Sequence, residues 1–373
     1  MNPKTIRLRT FLRATLTVAA LIISSITWAN PPDGVLDQTH ASVRAVVAVQ
    51  AEVTPELMSR PGVLGTAVGV DDSGTASLLV YVDQDGHGVS DVVRALPAQL
   101  RGIAVKAELT DKFRAFRGKP GGGGTSHTAI QAPPIQLGTS GGWRKDLANG
   151  YCCGGTIGSL IQVNGVQYIL SNYHVFESDI VGGGNGIVAS TGDNIIQPGL
   201  IDVGCNANSA QNVATLVKVS SLPGSNVDCS VAQVISGQVR SDGAILEIGT
   251  ISSQTVGASL NQAVKKSGRT TGLSRSKVNG LNATVSITYD NECAGGTAFT
   301  KVFSGQIIIA NQSSSFLNSG DSGSLMVEDV TTNPRAVGLL YAGSSTSAIA
   351  NPIAEVLQFL GGKLGGTATM VGN

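Results

Sequence analysis

The sequence predicts a mainly β protein, a double antiparallel β-barrel preceded by a small α+β N-terminal domain. Three observations carry that expectation. Charged residues make up only 13% of the chain and 48 of its 373 residues are glycine, a composition that favours short strands and tight turns over amphipathic helices. Short apolar runs punctuated by Gly, Asn and Ser recur from residue 135 onward, the spacing expected of packed barrels. Before residue 118, by contrast, one helical pattern is interleaved with strands, which reads as α+β.

The elements follow in chain order. Lys4, Arg7, Arg9 and Arg13 precede an apolar stretch from Ala14 to Ile26, and Thr27-Trp28-Ala29 ends it with a small residue. This is the pattern of a cleavable signal peptide over residues 1–29. The stretch is shorter than the roughly 20 residues a spanning helix needs, so the expected product is secreted or periplasmic, with no stable membrane anchor. In residues 30–117, Thr66–Val70 and Ser77–Val82 read as strands joined by an Asp71-Asp72-Ser73-Gly74 hairpin turn. Val89–Leu100 reads as a helix cut short by Pro97, and Ile103–Leu109 as a further strand. A ferredoxin-like α+β sandwich is the expectation. Residues 118–134, rich in Gly and Pro, read as a flexible linker. The small domain is therefore either a pro-segment that is removed or a permanent attachment. His40, His87 and His127 lie in loop-like surroundings and receive no role.

From 135 to 365 two barrels are expected, spanning about 135–245 and 246–350. A helix should begin after Pro352 and end at Leu360, before Gly361-Gly362. All five cysteines (Cys152, Cys153, Cys205, Cys229, Cys293) fall in this region. Export permits disulfides, and an odd count leaves at least one thiol over in a monomer. Neighbouring Cys152 and Cys153 would point to opposite faces of a strand and so would not pair with each other. No Cys-x-x-Cys pair or second histidine accompanies them, which removes a zinc site. The formal net charge is zero, so nothing points to nucleic acid or an anionic membrane surface.

The chemistry is concentrated in Gly320-Asp321-Ser322-Gly323-Ser324, which follows His174 and Asp228 in the chain. A serine hydroxyl needs an imidazole to take its proton, and the imidazole needs a carboxylate to hold its tautomer. Glycines let the backbone curl so that the amides of Gly320 and Ser322 can converge on an oxyanion. His174 ends the apolar run Tyr168–Tyr173, and Asp228 lies among Val227, Val231 and Ala232, where a carboxylate must find partners.

These segments resemble the trypsin and chymotrypsin family of serine peptidases, in its secreted bacterial branch of alpha-lytic and streptogrisin type. Cys153-Gly154-Gly155-Thr156, Ser171–Val175, Ser267-Gly268-Arg269-Thr270-Thr271-Gly272 and Ala336–Gly343 carry the likeness beside the serine motif. The resemblance implies a polypeptide substrate, no cofactor, and a triad of His174, Asp228 and Ser322. It further implies that Tyr341 and Gly343 pair with substrate backbone, that Phe316 lies at the primary specificity pocket, and that Lys266 neutralises Asp321. The N-terminal domain would serve as intramolecular inhibitor or folding aid. One departure is Val175, which stands where the family often has a disulfide-bonded cysteine. The competing class is a catalytically idle, peptide-binding protein of the same fold. An esterase elbow, Gly-x-Ser-x-Gly, is absent because Ser324 occupies the final position.

Overall fold

The computed structural model describes residues 34–115, 125–148, 151–177, 189–289 and 299–373. The expected signal segment, most of the glycine run of the linker, and Cys293 lie outside the described residues.

Two antiparallel sheets form the body of the protein, as the alternating short runs imply. The first orders its strands Thr369–Met370, Ser159–Val163, Val166–Ser171, Ser230–Val234, Gln211–Val217, Asn194–Gln197, Thr139–Trp143 and Gly155–Ile157. Its curl follows from connectivity: Gly155–Ile157 at one end and Ser159–Val163 near the other are separated by Gly158 alone. In the second sheet six strands close a ring, Ala263–Gly268 to Leu325–Glu328, Ala336–Gly343, Ser347–Pro352, Phe299–Ala310, Gly272–Tyr289, and back to Ala263–Gly268. Closure leaves no free edge within the ring. Apolar residues at alternate positions fill each interior: Trp143, Leu170, Leu216 and Val231 in the first, Val264, Val278, Ile309 and Leu340 in the second.

The N-terminal region is built as α+β but does not stand apart. Val63–Val70 pairs antiparallel with the long strand Gly272–Tyr289, with Gly65 opposite Val285 and Val68 opposite Leu281. The expected hairpin partner Ala76–Asp83 continues that sheet, and Ile103–Thr110 pairs parallel with it. Val43, Val46, Val68 and Val80 share one apolar cluster with Val264, Ile309 and Val337, and residues 35–373 form one compact unit. The break drawn at residue 117 is therefore not a break in packing. The cause is the length of Gly272–Tyr289, whose 18 residues extend beyond the barrel and offer an edge that the N-terminal strands complete.

Of the helices, one was missed, one ends short of Pro97 as expected, and one runs further than expected. The 19-residue helix Ala41–Ser59 was not expected from the sequence. Its buried stripe of Val43, Val46, Gln50, Thr54 and Leu57 includes two polar members, which are satisfied by Thr66 and by the Asn282 carbonyl. The second helix spans only Val89–Arg94, stopping before Pro97 as its missing N–H requires. The last helix runs Ile353–Leu364 through both glycines, and the left-handed Gly365 (φ 72°) ends it instead.

The sheets meet most tightly at Gly158, where a Cβ would lie 1.8 Å from the Gly323 carbonyl oxygen. Backbone cannot yield as a flexible side chain does. Gly158→Ala is expected to lower the unfolding free energy by about 3 kcal/mol, measurable as a reduced urea midpoint with an unchanged slope.

Candidate active site

The first sheet sets two of the three candidate residues. Ser171 pairs with Ser230, so the chain leaving Val166–Ser171 and the chain entering Ser230–Val234 emerge side by side. The short helical turn Tyr173–Phe176 carries His174, and Asp228 lies two residues before its strand. His174 Nδ1 lies 2.6 Å from Asp228 Oδ2. A carboxylate accepts hydrogen bonds and does not donate them, so Nδ1 carries the proton of this bond. His174 Nε2 is buried and has no hydrogen-bond partner among the described residues.

Asp228 is fully buried, and its partners account for the burial of its charge. Oδ1 accepts from the Tyr173 amide at 2.8 Å. Oδ2 accepts from the Tyr289 hydroxyl at 2.9 Å as well as from His174. Its backbone is held too, the carbonyl by Asn172 Nδ2 and the amide by Asn351 Oδ1. Tyr289 and Asn351 come from the second barrel, so the carboxylate is clasped between both sheets.

The turn that carries Ser322 is built from the remaining motif segments. Gly320 and Gly323 adopt left-handed φ of 96° and 93°, which other residues reach only with strain. Thr156 staples the turn: its amide donates to the Ser322 carbonyl at 2.9 Å and its hydroxyl to the Gly320 carbonyl at 2.9 Å. A Cβ on Gly155 would lie 3.0 Å from the Ser322 carbonyl oxygen and 2.6 Å from a Val175 methyl. Ser322 and the residue after His174 thus crowd the same glycine. Ser322 Oγ donates to the Tyr341 carbonyl at 3.3 Å.

Asp321, also fully buried, receives the Thr270 and Thr271 amides, the Thr271 hydroxyl and the Asn318 amide. Lys266 Nζ stands 3.1 Å from its Oδ1, with neither side chain exposed. Burial pulls the Lys266 ammonium below its ordinary pKa, and Asp321 opposes that shift. The glycine of the Ser-Gly-Arg-Thr-Thr-Gly run has a reason here: a Cβ on Gly268 would lie 2.6 Å from Asp321 Oδ1 and 2.3 Å from Ser324 Oγ.

The expected substrate-side residues are arranged differently. Phe316 is 1% exposed and belongs to the second-barrel core, so its ring lines no open pocket. Tyr341 sits at an irregularity in the pairing of Ala336–Gly343 with Ser347–Pro352, with its ring buried against Phe303. Gly343 and Ala342 pair antiparallel with Arg114 and Ala115 of the same chain. His127, given no role above, is buried with Nε2 3.0 Å from Ser267 Oγ and 3.2 Å from Glu247, which fastens the described part of the segment read as a linker to the second barrel. Desolvation lowers its pKa.

Sequence reading missed Tyr289, Asn351 and Glu177. Glu177, three residues after His174, accepts from Ser230 Oγ and from the Val219 and Ser220 amides. Burial raises its pKa. These residues were hidden because each works through a contact distant in sequence, and nothing local distinguishes them.

Cys152 and Cys205 form a disulfide, and Cys153 is disulfide-bonded as well. Cys229 is a buried free thiol whose pKa burial pushes well upward, with Asp228 and Glu177 adding to the rise. Among the described residues no cluster of three potential metal ligands occurs, and no helix is long and apolar enough to cross a membrane.

Residues 206–351 match the sequence profile of the Nal1 C-terminal domain. Among solved structures, a glutamic acid specific serine protease described as using a histidine triad in substrate binding is 17% identical, with a TM-score of 0.41 over 63% of this chain and 100% of that one. Thermobifida fusca protease A is 18% identical, TM-score 0.40, over 64% and 99%. Cellulomonas bogoriensis chymotrypsin is 20% identical, TM-score 0.39, over 64% and 99%. No curated protein sequence matches significantly.

Removing the Lys266 ammonium strands a buried carboxylate. Lys266→Met is expected to cost roughly 3–5 kcal/mol of stability in a denaturant titration, and Lys266→Met/Asp321→Asn to recover part of the loss.

Proposed function

We propose that the chain is an exported serine endopeptidase that hydrolyses peptide bonds through an acyl-enzyme. The observation that carries this reading is the His174–Asp228 pair. A buried carboxylate holds Nδ1–H, and Val175, the residue after this histidine, packs on Gly155 together with the Ser322 carbonyl of the turn that Thr156 holds. In the proposed mechanism His174 takes the proton of Ser322 as its Oγ attacks a carbonyl, then delivers it to the leaving amine, and Asp228 stabilises the imidazolium between. Water repeats the sequence to release the acid. The amides of Gly320 and Ser322 would receive the oxyanion, each worth about 3–4 kcal/mol in the transition state. For the attack Ser322 Oγ must rotate from the Tyr341 carbonyl to Nε2, a change of the kind that substrate binding brings about in resting enzymes. The Cys152–Cys205 disulfide and the N-terminal signal pattern support a secreted or periplasmic location.

One set of contacts favours a second reading, in which the intact chain is idle. Thr110 and Asp111 bond Ser344 and Ser345, then Arg114 and Ala115 pair with Gly343 and Ala342. The segment therefore runs antiparallel along the strand that an extended substrate would use, toward Tyr341. On this reading the N-terminal domain is an intramolecular inhibitor and the chain is latent until that segment leaves; the limiting case is a permanently idle peptide-binding protein.

Two outcomes are expected with a fluorophosphonate probe. Wild type labels and Ser322→Ala does not; an unlabelled, correctly folded wild type would favour the idle reading. Phe113 is fully buried beside this segment, and Phe113→Ala, which loosens it, should label several-fold faster than wild type.

A further inference from the structure

The geometry points to Tyr289 as a positioning residue for the His174–Asp228 pair, acting through a hydrogen bond that reaches across from the second barrel. This rests on the hydrolase reading above and names a residue of the same site that the serine-peptidase motifs do not contain.

Asp228 Oδ2 accepts two hydrogen bonds, from His174 Nδ1 at 2.6 Å and from Tyr289 Oη at 2.9 Å. Oδ1 is occupied by the Tyr173 amide. The Tyr173 bond alone would leave the carboxylate free to turn about its Cβ–Cγ bond and tilt Oδ2 away from the imidazole. The Tyr289 hydroxyl fixes the second oxygen in place. It also takes up part of that oxygen's charge, since a hydrogen bond to an ionised acceptor is stronger than one between neutral groups.

The phenol is itself built in. Tyr289 is 1% exposed and ends the strand Gly272–Tyr289. Its ring stacks on Phe299 at 4.8 Å and 9°, and meets the His174 ring edge-on at 6.0 Å and 70°. It therefore contacts both members of the pair it positions. Burial, reinforced by the Asp228 charge, pushes its pKa well above the usual phenol value, so it remains a donor across the working range of a serine hydrolase. Tyr341 is equally buried, but its hydroxyl has no partner among the described residues, whereas the Tyr289 hydroxyl reaches the carboxylate.

The test is Tyr289→Phe in the full chain, which removes one oxygen and keeps the ring stack. Two readouts are needed. The low-field proton resonance of His174 Nδ1–H, assigned by its loss in Asp228→Asn, should move upfield, because the carboxylate, free to turn once the phenol is gone, tilts Oδ2 away from the imidazole and weakens the bond. Turnover of a peptide substrate should fall about tenfold in kcat with KM unchanged. Phe299→Leu keeps the hydroxyl while loosening the ring, and should fall between wild type and Tyr289→Phe in both measures. An unmoved resonance, or a moved one with unchanged kcat, overturns the proposal. Should wild type fail to label or turn over, the hydrolase reading falls, and the resonance still decides whether Tyr289 positions the pair.

Discussion

A single buried carboxylate organises this molecule. Asp228 has no solvent contact, and an ionised carboxylate there is tolerable only if its oxygens are filled by donors. Those three donors come from two places: the turn that follows one strand of the first barrel supplies the Tyr173 amide and the His174 imidazole, and the far end of the longest strand of the second supplies the Tyr289 hydroxyl. Satisfying one charge thus demands that two sheets be brought into register. The amide of Asp228 makes the same demand through Asn351, whose own side chain is held by Gln306. Any displacement of one barrel against the other would strand the carboxylate before it disturbed much apolar packing. The geometry of the His–Asp pair is in that sense a property of the interface between the barrels.

The turn that carries Ser322 obeys a different constraint, that of space. Gly155, Gly158, Gly268 and Gly323 each bring a backbone or ion pair closer than a Cβ would allow. Three of them surround the Ser322 backbone from the first barrel or from the turn itself, and Gly268 surrounds the Lys266–Asp321 pair. The family-like motifs, distant along the chain, converge for this reason: they are the places where two sheets and a turn come too close for side chains. Thr156 then closes the arrangement with two hydrogen bonds to the turn.

How much of this could be read from the sequence differs by level. The His–Asp contact was legible because a buried carboxylate needs donors and the order of the motifs offers an imidazole, whereas the Lys266–Asp321 ion pair was anticipated only through the resemblance of its strand to that of secreted bacterial serine peptidases. The helix Ala41–Ser59 was not legible, because Gln50 and Thr54 occupy its buried stripe and appear polar until Thr66 and the Asn282 carbonyl are placed beside them. Tyr289 appeared as an ordinary strand aromatic, since its partner lies 61 residues away. Phe316 was misread as a pocket residue because counting back from Ser322 fixes position along the chain, whereas the loop conformation decides which way the ring turns, and here Asn311 draws the Phe316 and Leu317 amides inward.

The N-terminal region makes the same point at the scale of a domain. Composition marked residues 118–134 as a boundary, yet the strand Gly272–Tyr289 is long enough to serve the barrel at one end and the N-terminal strands at the other. Tyr289 is its final residue. The hydrogen bond to Asp228 is therefore made by the strand that also carries Gly65 to Val68, and the Thr288 amide beside it donates to the Phe113 carbonyl. The segment lying along Ala342 and Gly343 and the residue steadying the carboxylate are thus adjacent on one strand. Loss of the N-terminal strands would leave one side of that strand's middle unpaired and take the Phe113 carbonyl from the amide beside Tyr289, while Phe299–Ala310 would still pair its other side, so the donor to Asp228 shares its strand with the contacts that hold the N-terminal region.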